Sequence, residues 1–207
     1  VCRFKLSDDG AGYASRELGE LIKTPHVAFR PIDVAMGPDG AIYIADWYNP
    51  IIQHGEVDFR DPRRDHTHGR IWRVSFKGAK AAKRPNLVDA SVPELLEQLK
   101  SSAGWTREQT RRVLKELGRE AVLAPLKVWT KSVTDDQHKL EALWLYQALR
   151  IPNETLLRNL ILHSKTPEVR AAAVRVAQHW QNDLPVKEVL SLVGRCVHDK
   201  HPRVRLE

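Results

Sequence analysis

Apolar and polar positions alternate along this 207-residue chain with two different periods, and the change comes near residue 77. Before it the period is two, the spacing of a half-buried strand. Cys2, Phe4 and Leu6 alternate with Arg3 and Lys5, and Ser7-Asp8-Asp9-Gly10 predicts a turn. A weaker strand is predicted from about 13 to 22, where Leu18, Leu21 and Ile22 fit a short helix equally well. Ile32, Val34 and Met36 then alternate with Pro31, Asp33 and Ala35, and Ile42 and Ile44 flank Tyr43. Between these runs lies Gly37-Pro38-Asp39-Gly40. Pro38 presets φ for a tight turn and Gly40 accepts a positive φ, so the whole stretch reads as a β-hairpin. An antiparallel pair brings its outer ends together, so Arg30, entering the first strand, must lie beside whatever follows Asp46. One more strand is predicted over 69–76, with Trp72, Val74 and Phe76 on one face.

A Lys-, Ala- and Pro-containing linker over 78–92 separates this half from a second half of period 3.6. Helices are predicted at about 93–101, 106–118, 120–131, 136–149, 153–163, 167–181 and 186–198, the last residues reading as a helix cut off in its first turn. Thr106 with Gln109 reads as a capping box, Asp135 as an N-cap, and Pro167 follows Thr166 in the favoured first helical position. Pro167-Glu168-Val169-Arg170-Ala171 recurs as Pro202-Arg203-Val204-Arg205-Leu206, with fainter echoes at 138–142 and 110–114. A turn, a proline, then Val-Arg opening a helix resembles the second helix of a HEAT-type repeat, although the spacings suit a generic α-solenoid too. The expected fold class is α+β in separate halves. Residues 1–77 are expected to hold the strands of one β-propeller blade plus the end of the one before, which the resemblance given below makes the C-terminal blade region, and 93–207 a HEAT-like α-solenoid truncated at its C-terminus. With no initiator Met, the chain reads as an interior fragment of a longer polypeptide.

Composition narrows the function. There is no run of eighteen apolar residues, so no membrane span is expected. The net charge is +7, with 14 basic against 12 acidic residues in 1–89 and 19 against 14 in 90–207. These charges fall on polar helix faces rather than in a cluster interleaved with aromatics, which argues against a nucleic-acid partner. Cys2 and Cys196 read as small apolar residues, a mutual disulfide having no support. Trp105, Trp129, Trp144 and Trp180 fall at helical spacing and read as core. His26, His138, His163, His179, His198 and His201 read as structural. No nucleophile elbow, phosphate loop or Gly-x-Gly-x-x-Gly occurs, so no residue is assigned a catalytic role.

Chemistry concentrates in the 23-residue stretch 46–68, unusually long for a connection between strands. It carries His54, His66 and His68, four aspartates, one glutamate, Arg60, Arg63 and Arg64, and the aromatics Trp47, Tyr48 and Phe59. Three readings stand. The loop is an internally salt-bridged cap that packs against the helical half. Or it lines an anion site in which Arg30, with Arg60 or Arg64, grips carboxylate while an aromatic stacks on a flat ring. Or His54, His66 and His68 with an aspartate bind a metal, since His66 and His68 sit on one side of an extended strand.

Phe29-Arg30-Pro31, Asp33-Val34 and the run from Gly37 to Trp47 resemble the last blade of glucose/sorbosone dehydrogenase-type β-propellers. Asp46-Trp47-Tyr48-Asn49-Pro50-Ile51-Ile52-Gln53-His54-Gly55, then His66-Thr67-His68-Gly69-Arg70-Ile71-Trp72, is similar to a narrower group. These are the large bacterial extracytoplasmic proteins called membrane-bound dehydrogenases or PVC-type haem-binding proteins, which run as propeller, HEAT-like region and cytochrome c domain. The resemblance implies a periplasmic or extracytoplasmic, membrane-associated parent that oxidises a sugar or polyol at pyrroloquinoline quinone (PQQ) with calcium, and passes electrons to a c-type haem beyond this chain. Arg30 occupies the place of an arginine that contacts the quinone carboxylates, with Asp46, Trp47, Tyr48, Arg60 and Arg64 around it. Those enzymes have a second arginine two residues on, where this chain has Ile32. The implied partners are upstream blades and a downstream cytochrome c domain of the same polypeptide, and a protein docked on the solenoid. The fragment alone is expected to be inactive. The competing reading is a non-catalytic interaction scaffold.

Overall fold

The computed structural model describes residues 1–51, 60–78 and 80–207. They form two compact units, Val1–Lys5 with Ser15–Pro85, and Leu6–Ala14 with Asn86–Glu207. Antiparallel strands occupy the N-terminal half and helices the C-terminal half, an α+β arrangement in separate halves.

Strands β1 (Arg3–Asp9) and β2 (Gly12–Leu18) make a two-stranded sheet. Their turn falls at Gly10-Ala11, later than the Ser7–Gly10 expectation, because Gly10 is the residue that takes the positive φ of 58°. Residues to Leu18 are strand, which decides against the short-helix alternative for that residue. Strands β3 (Pro31–Met36), β4 (Ile42–Asp46) and β5 (Arg70–Val74) form a three-stranded antiparallel sheet in the order β3-β4-β5. The predicted hairpin is present, with Val34 opposite Ile44 and Pro31 opposite Asp46 across a bulge. At its tip Gly37 N donates to Ala41 O (2.8 Å), Gly40 N donates to Gly37 O (3.1 Å), and Gly40 adopts φ 77°. Phe76 lies beyond β5 and is exposed, since the strand stops at Val74. Ile44 is fully buried at the sheet's centre, whereas Val34 and Met36 on the same face of the neighbouring strand stay about half exposed.

The second unit holds α1 (Val92–Gln98), α2 (Gly104–Ser132), α3 (Asp136–Ala148), α4 (Glu154–His163), α5 (Pro167–His179), α6 (Val186–Cys196) and α7 (Pro202–Leu206). Gly118 (φ 83°, ψ 170°) interrupts α2, dividing it where the periodicity predicts two helices. Thr106 is not a cap. The helix begins at Gly104, and Thr106 is buried inside its first turn. The reciprocal cap belongs instead to α1, where the Glu94 carboxylate accepts from Ser91 N at 2.7 Å. Asp135 caps α3, accepting from the amides of Gln137 and His138. Each helix from α3 to α5 touches both the next and the next but one, α5 meeting α6 and α7. Leu95, Leu114, Leu126, Leu143, Leu157 and Leu160 are fully buried, and Trp129 and Trp180 are buried with them. Cys196 is buried and Cys2 exposed, and both are free thiols. Among the described residues, no helix is long and apolar enough to cross a membrane.

Candidate functional site

The hairpin closes at Asp46, the last residue of β4, and Asp46 organises that end of the sheet. It sits between Pro31 of β3 and Arg70 of β5 in the strand register. Its side chain is wholly buried. Oδ1 accepts from Arg30 N at 2.8 Å and Tyr48 N at 3.0 Å. Oδ2 accepts from the Trp72 indole at 2.9 Å and lies 3.2 Å from Arg70 Nε. Burial pushes the carboxyl's pKa up, but the Trp72 N–H, the two backbone amides and the Arg70 charge outweigh it and hold the group below the usual value.

Above this anchor is a stack of planar groups. The Arg70 guanidinium lies 3.8 Å from the Tyr48 ring centroid and 5.2 Å from that of Trp72. His26 stacks on Tyr48 with centroids 5.8 Å apart at 23°, and Phe29 meets Trp72 edge-on at 6.2 Å. Tyr48 holds a left-handed φ of 55°, rare for a bulky residue, and the Asp46 bond to its amide fixes it there. Trp47 N donates to Arg30 O at 2.9 Å, so Arg30 does lie against the start of the polar loop. Its guanidinium bonds Phe29 O through Nη1 at 2.8 Å. Among the described residues, three buried guanidinium nitrogens have no hydrogen-bond acceptor: Arg30 Nε, Arg70 Nε and Arg70 Nη2. The Arg70 Nε contact to Asp46 is close enough for an ion pair but misaligned for a hydrogen bond.

The structure thus gathers Arg30, Asp46, Trp47 and Tyr48 at one end of the sheet. Arg60 is exposed and Arg64 half-buried on the turn after the undescribed stretch, and neither is among the described partners of Asp46. His54 lies outside the described residues. His66 is exposed. His68 engages Asp65 through Nδ1 at 3.0 Å, and Asp65 also accepts from the Thr67 amide and hydroxyl, which holds its pKa at about 2. Arg63 clasps Asp61, two residues away, with bonds of 2.9 and 2.7 Å. Among the described residues, no three His, Cys, Asp or Glu side chains converge to hold a metal ion.

Sequence reasoning missed Arg70, Trp72 and His26 as members of this cluster. For Arg70 and Trp72 a signal existed. They alternate with Ile71 on the strand that pairs with β4, so whichever face carries Trp72 carries Arg70 as well. The stacking of His26 had none, because a loop residue's neighbours do not follow from strand periodicity.

The family described as "Domain of unknown function (DUF7133)" matches residues 1–78. That span takes in the five strands found among the described residues and every residue of the Asp46 cluster. No curated protein and no solved structure matches the chain.

Proposed function

We propose that this chain is part of an extracytoplasmic, quinoprotein-like sugar or polyol dehydrogenase. In that reading β3–β5 belong to the closing blade of a propeller and α1–α7 to a HEAT-like solenoid. The observation that carries it is the set of buried guanidinium N–H groups on Arg30 and Arg70 without a hydrogen-bond acceptor among the described residues, beside a stack of flat rings. Buried donors of this kind call for an acceptor, and carboxylates on a planar ring satisfy both the charge and the shape. PQQ is such a molecule, so the residues fit it: Arg30 and Arg70 would take its carboxylates, and Tyr48 or His26 its ring face. When bound, the quinone supplies the two-electron acceptor for oxidation of the alcohol. The chain's own part is recognition and orientation. Calcium ligands, the catalytic base and a c-type haem come from other parts of a longer polypeptide, and the residues described here are inactive by themselves.

The test uses the full-length protein supplied with PQQ and Ca²⁺. Sugar-dependent dye reduction is expected, abolished by Arg30→Ala and sharply reduced by Arg70→Ala. Loss of one charged hydrogen bond corresponds to about a tenfold to hundredfold weaker quinone affinity, read by titrating the quinone. Quinone affinity unchanged in both variants overturns the assignment.

A second reading, an interaction scaffold, has its own supporting observation. Val186, Leu190, Val193 and Val197 form an outward apolar stripe along α6, from 37% to 66% exposed. Absence of dye reduction across a panel of sugars and polyols favours this alternative.

A further inference from the structure

The helical unit carries a groove that the sheet-end chemistry does not use. It lies among the second segment of α2, α3 and α4 and has a volume of about 530 Å³. Lys127 and Lys131, one turn apart on α2, and Lys139 on α3 line it. Among the described residues no acidic side chain does. Lys139 is tethered loosely to Asp136 at 3.6 Å, while Lys127 and Lys131 make no ion pair among the described residues. The floor is apolar, formed by the buried residues Val133, Tyr146 and Leu156. At the rim, Thr155 and Asn159 are exposed and able to bond a backbone amide.

We propose that this groove docks an extended acidic peptide, an aliphatic side chain seated on the floor and flanking Asp or Glu carboxylates on the three lysines. Four features select this occupant. Among the described residues the lining holds three lysines and no acid, Asp136 reaching only Lys139 from outside it, so the groove is complementary to negative charge. An apolar floor gains nothing from a phosphate or sugar but does gain from burying a Leu or Val side chain. Tyr146, the groove's one aromatic, is only 2% exposed, so it offers no platform on which a nucleobase could stack. Lysine also supplies point charges on flexible stems, suited to carboxylates whose positions vary along a peptide. The proposal stands on the helical unit alone and does not depend on quinone binding.

Fluorescence anisotropy of the full chain with a fluorescein-labelled peptide, Gly-Glu-Glu-Leu-Glu-Glu-Gly, tests it. Saturable binding that weakens as salt is raised is expected. The Lys127→Glu/Lys131→Glu variant should bind at least about tenfold more weakly, while Lys127→Arg/Lys131→Arg retains affinity. Replacing the peptide's leucine with glycine should also weaken binding. Circular dichroism and thermal unfolding of both variants show that the fold is kept. If the double glutamate variant does not fold, Lys127→Gln/Lys131→Gln supplies the same comparison, with a smaller expected loss. Three results overturn the proposal: no saturable binding at low salt, an equal loss on reversing the exposed Lys165 and Lys187 instead, or tighter binding of single-stranded DNA than of the peptide.

Discussion

Asp46 shows how much one side chain decides. Its carboxylate accepts hydrogen bonds from two backbone amides and the Trp72 indole and pairs in charge with Arg70, joining the start of β3, the segment after β4, and β5. Asp46→Ala leaves the two amides and the indole without their acceptor and Arg70 without its counter-charge, and should destabilise the three-stranded sheet by about 2–3 kcal/mol, measured as faster amide exchange in β3–β5. Because the folded pKa is depressed, the stabilisation is complete above the unfolded carboxylate value and is lost as pH falls through the lower folded value. Acid titration should therefore raise β3–β5 exchange in the wild type, with Asp46→Asn already destabilised at neutral pH and lacking that acid step. At the opposite end of the sheet, Asp39 bonds Arg73 Nε at 2.7 Å and the Tyr43 hydroxyl at 3.2 Å. A Cβ at Gly37 would sit 2.3 Å from the Tyr43 ring, so Gly37→Ala must displace that ring from Asp39. Loss of the Tyr43–Asp39 hydrogen bond, read from a shifted tyrosine absorbance, is the expected outcome. Glycine's role here is space, whereas Gly40 three residues later is needed for its left-handed φ.

At the scale of elements, three helices share one device. Arg107, Arg170 and Arg205 are each the fourth residue of a helix, and each donates from Nη1 to the carbonyl six residues back, those of Ser101, Ser164 and Asp199. The bonds measure 2.7, 3.0 and 2.7 Å and pin the incoming loop to the helix it precedes. The repeat seen in sequence at Arg170 and Arg205 is thus a repeat of hydrogen bonding. Its third member is Arg107, not the echo read at 110–114, because the helix begins at Gly104. Two of these arginines also reach a carboxylate further along the chain: Arg170 grips Asp199 twice at 2.8 Å, and Arg107 lies 3.3 Å from Glu141. Glu141 is 1% exposed and is bonded by Arg111 at 2.6 Å as well. Glu141→Ala should cost about 2–3 kcal/mol in urea denaturation, less than for a fully buried pair because both guanidiniums remain partly hydrated. Gly118 carries a separate constraint. An added Cβ there meets no atom within 4 Å, so the cost of Gly118→Ala is purely that of its backbone angles, about 1–3 kcal/mol by thermal unfolding.

Across the whole molecule, the division of labour follows what each kind of order requires. The two periods of hydrophobicity determined the two halves, the hairpin with its Pro-Gly turn, and each of the described helices to within a few residues, because strand and helix geometry are local properties of the backbone. The same locality placed Arg30 against Asp46 and Trp47, since a two-stranded antiparallel pair leaves its ends no other arrangement. Tertiary structure alone decided the rest. Whether Asp46 would face solvent or be buried among Arg70, Trp72 and Tyr48 depended on β5 returning across a long loop, and loop closure is not encoded in periodicity. The burial of Glu141 between two arginines of another helix depended on helix packing, as did the convergence of Lys127, Lys131 and Lys139 on one groove. A pattern along the chain specifies which face of an element is apolar; only the packing of one element against another determines which polar groups those faces bring together.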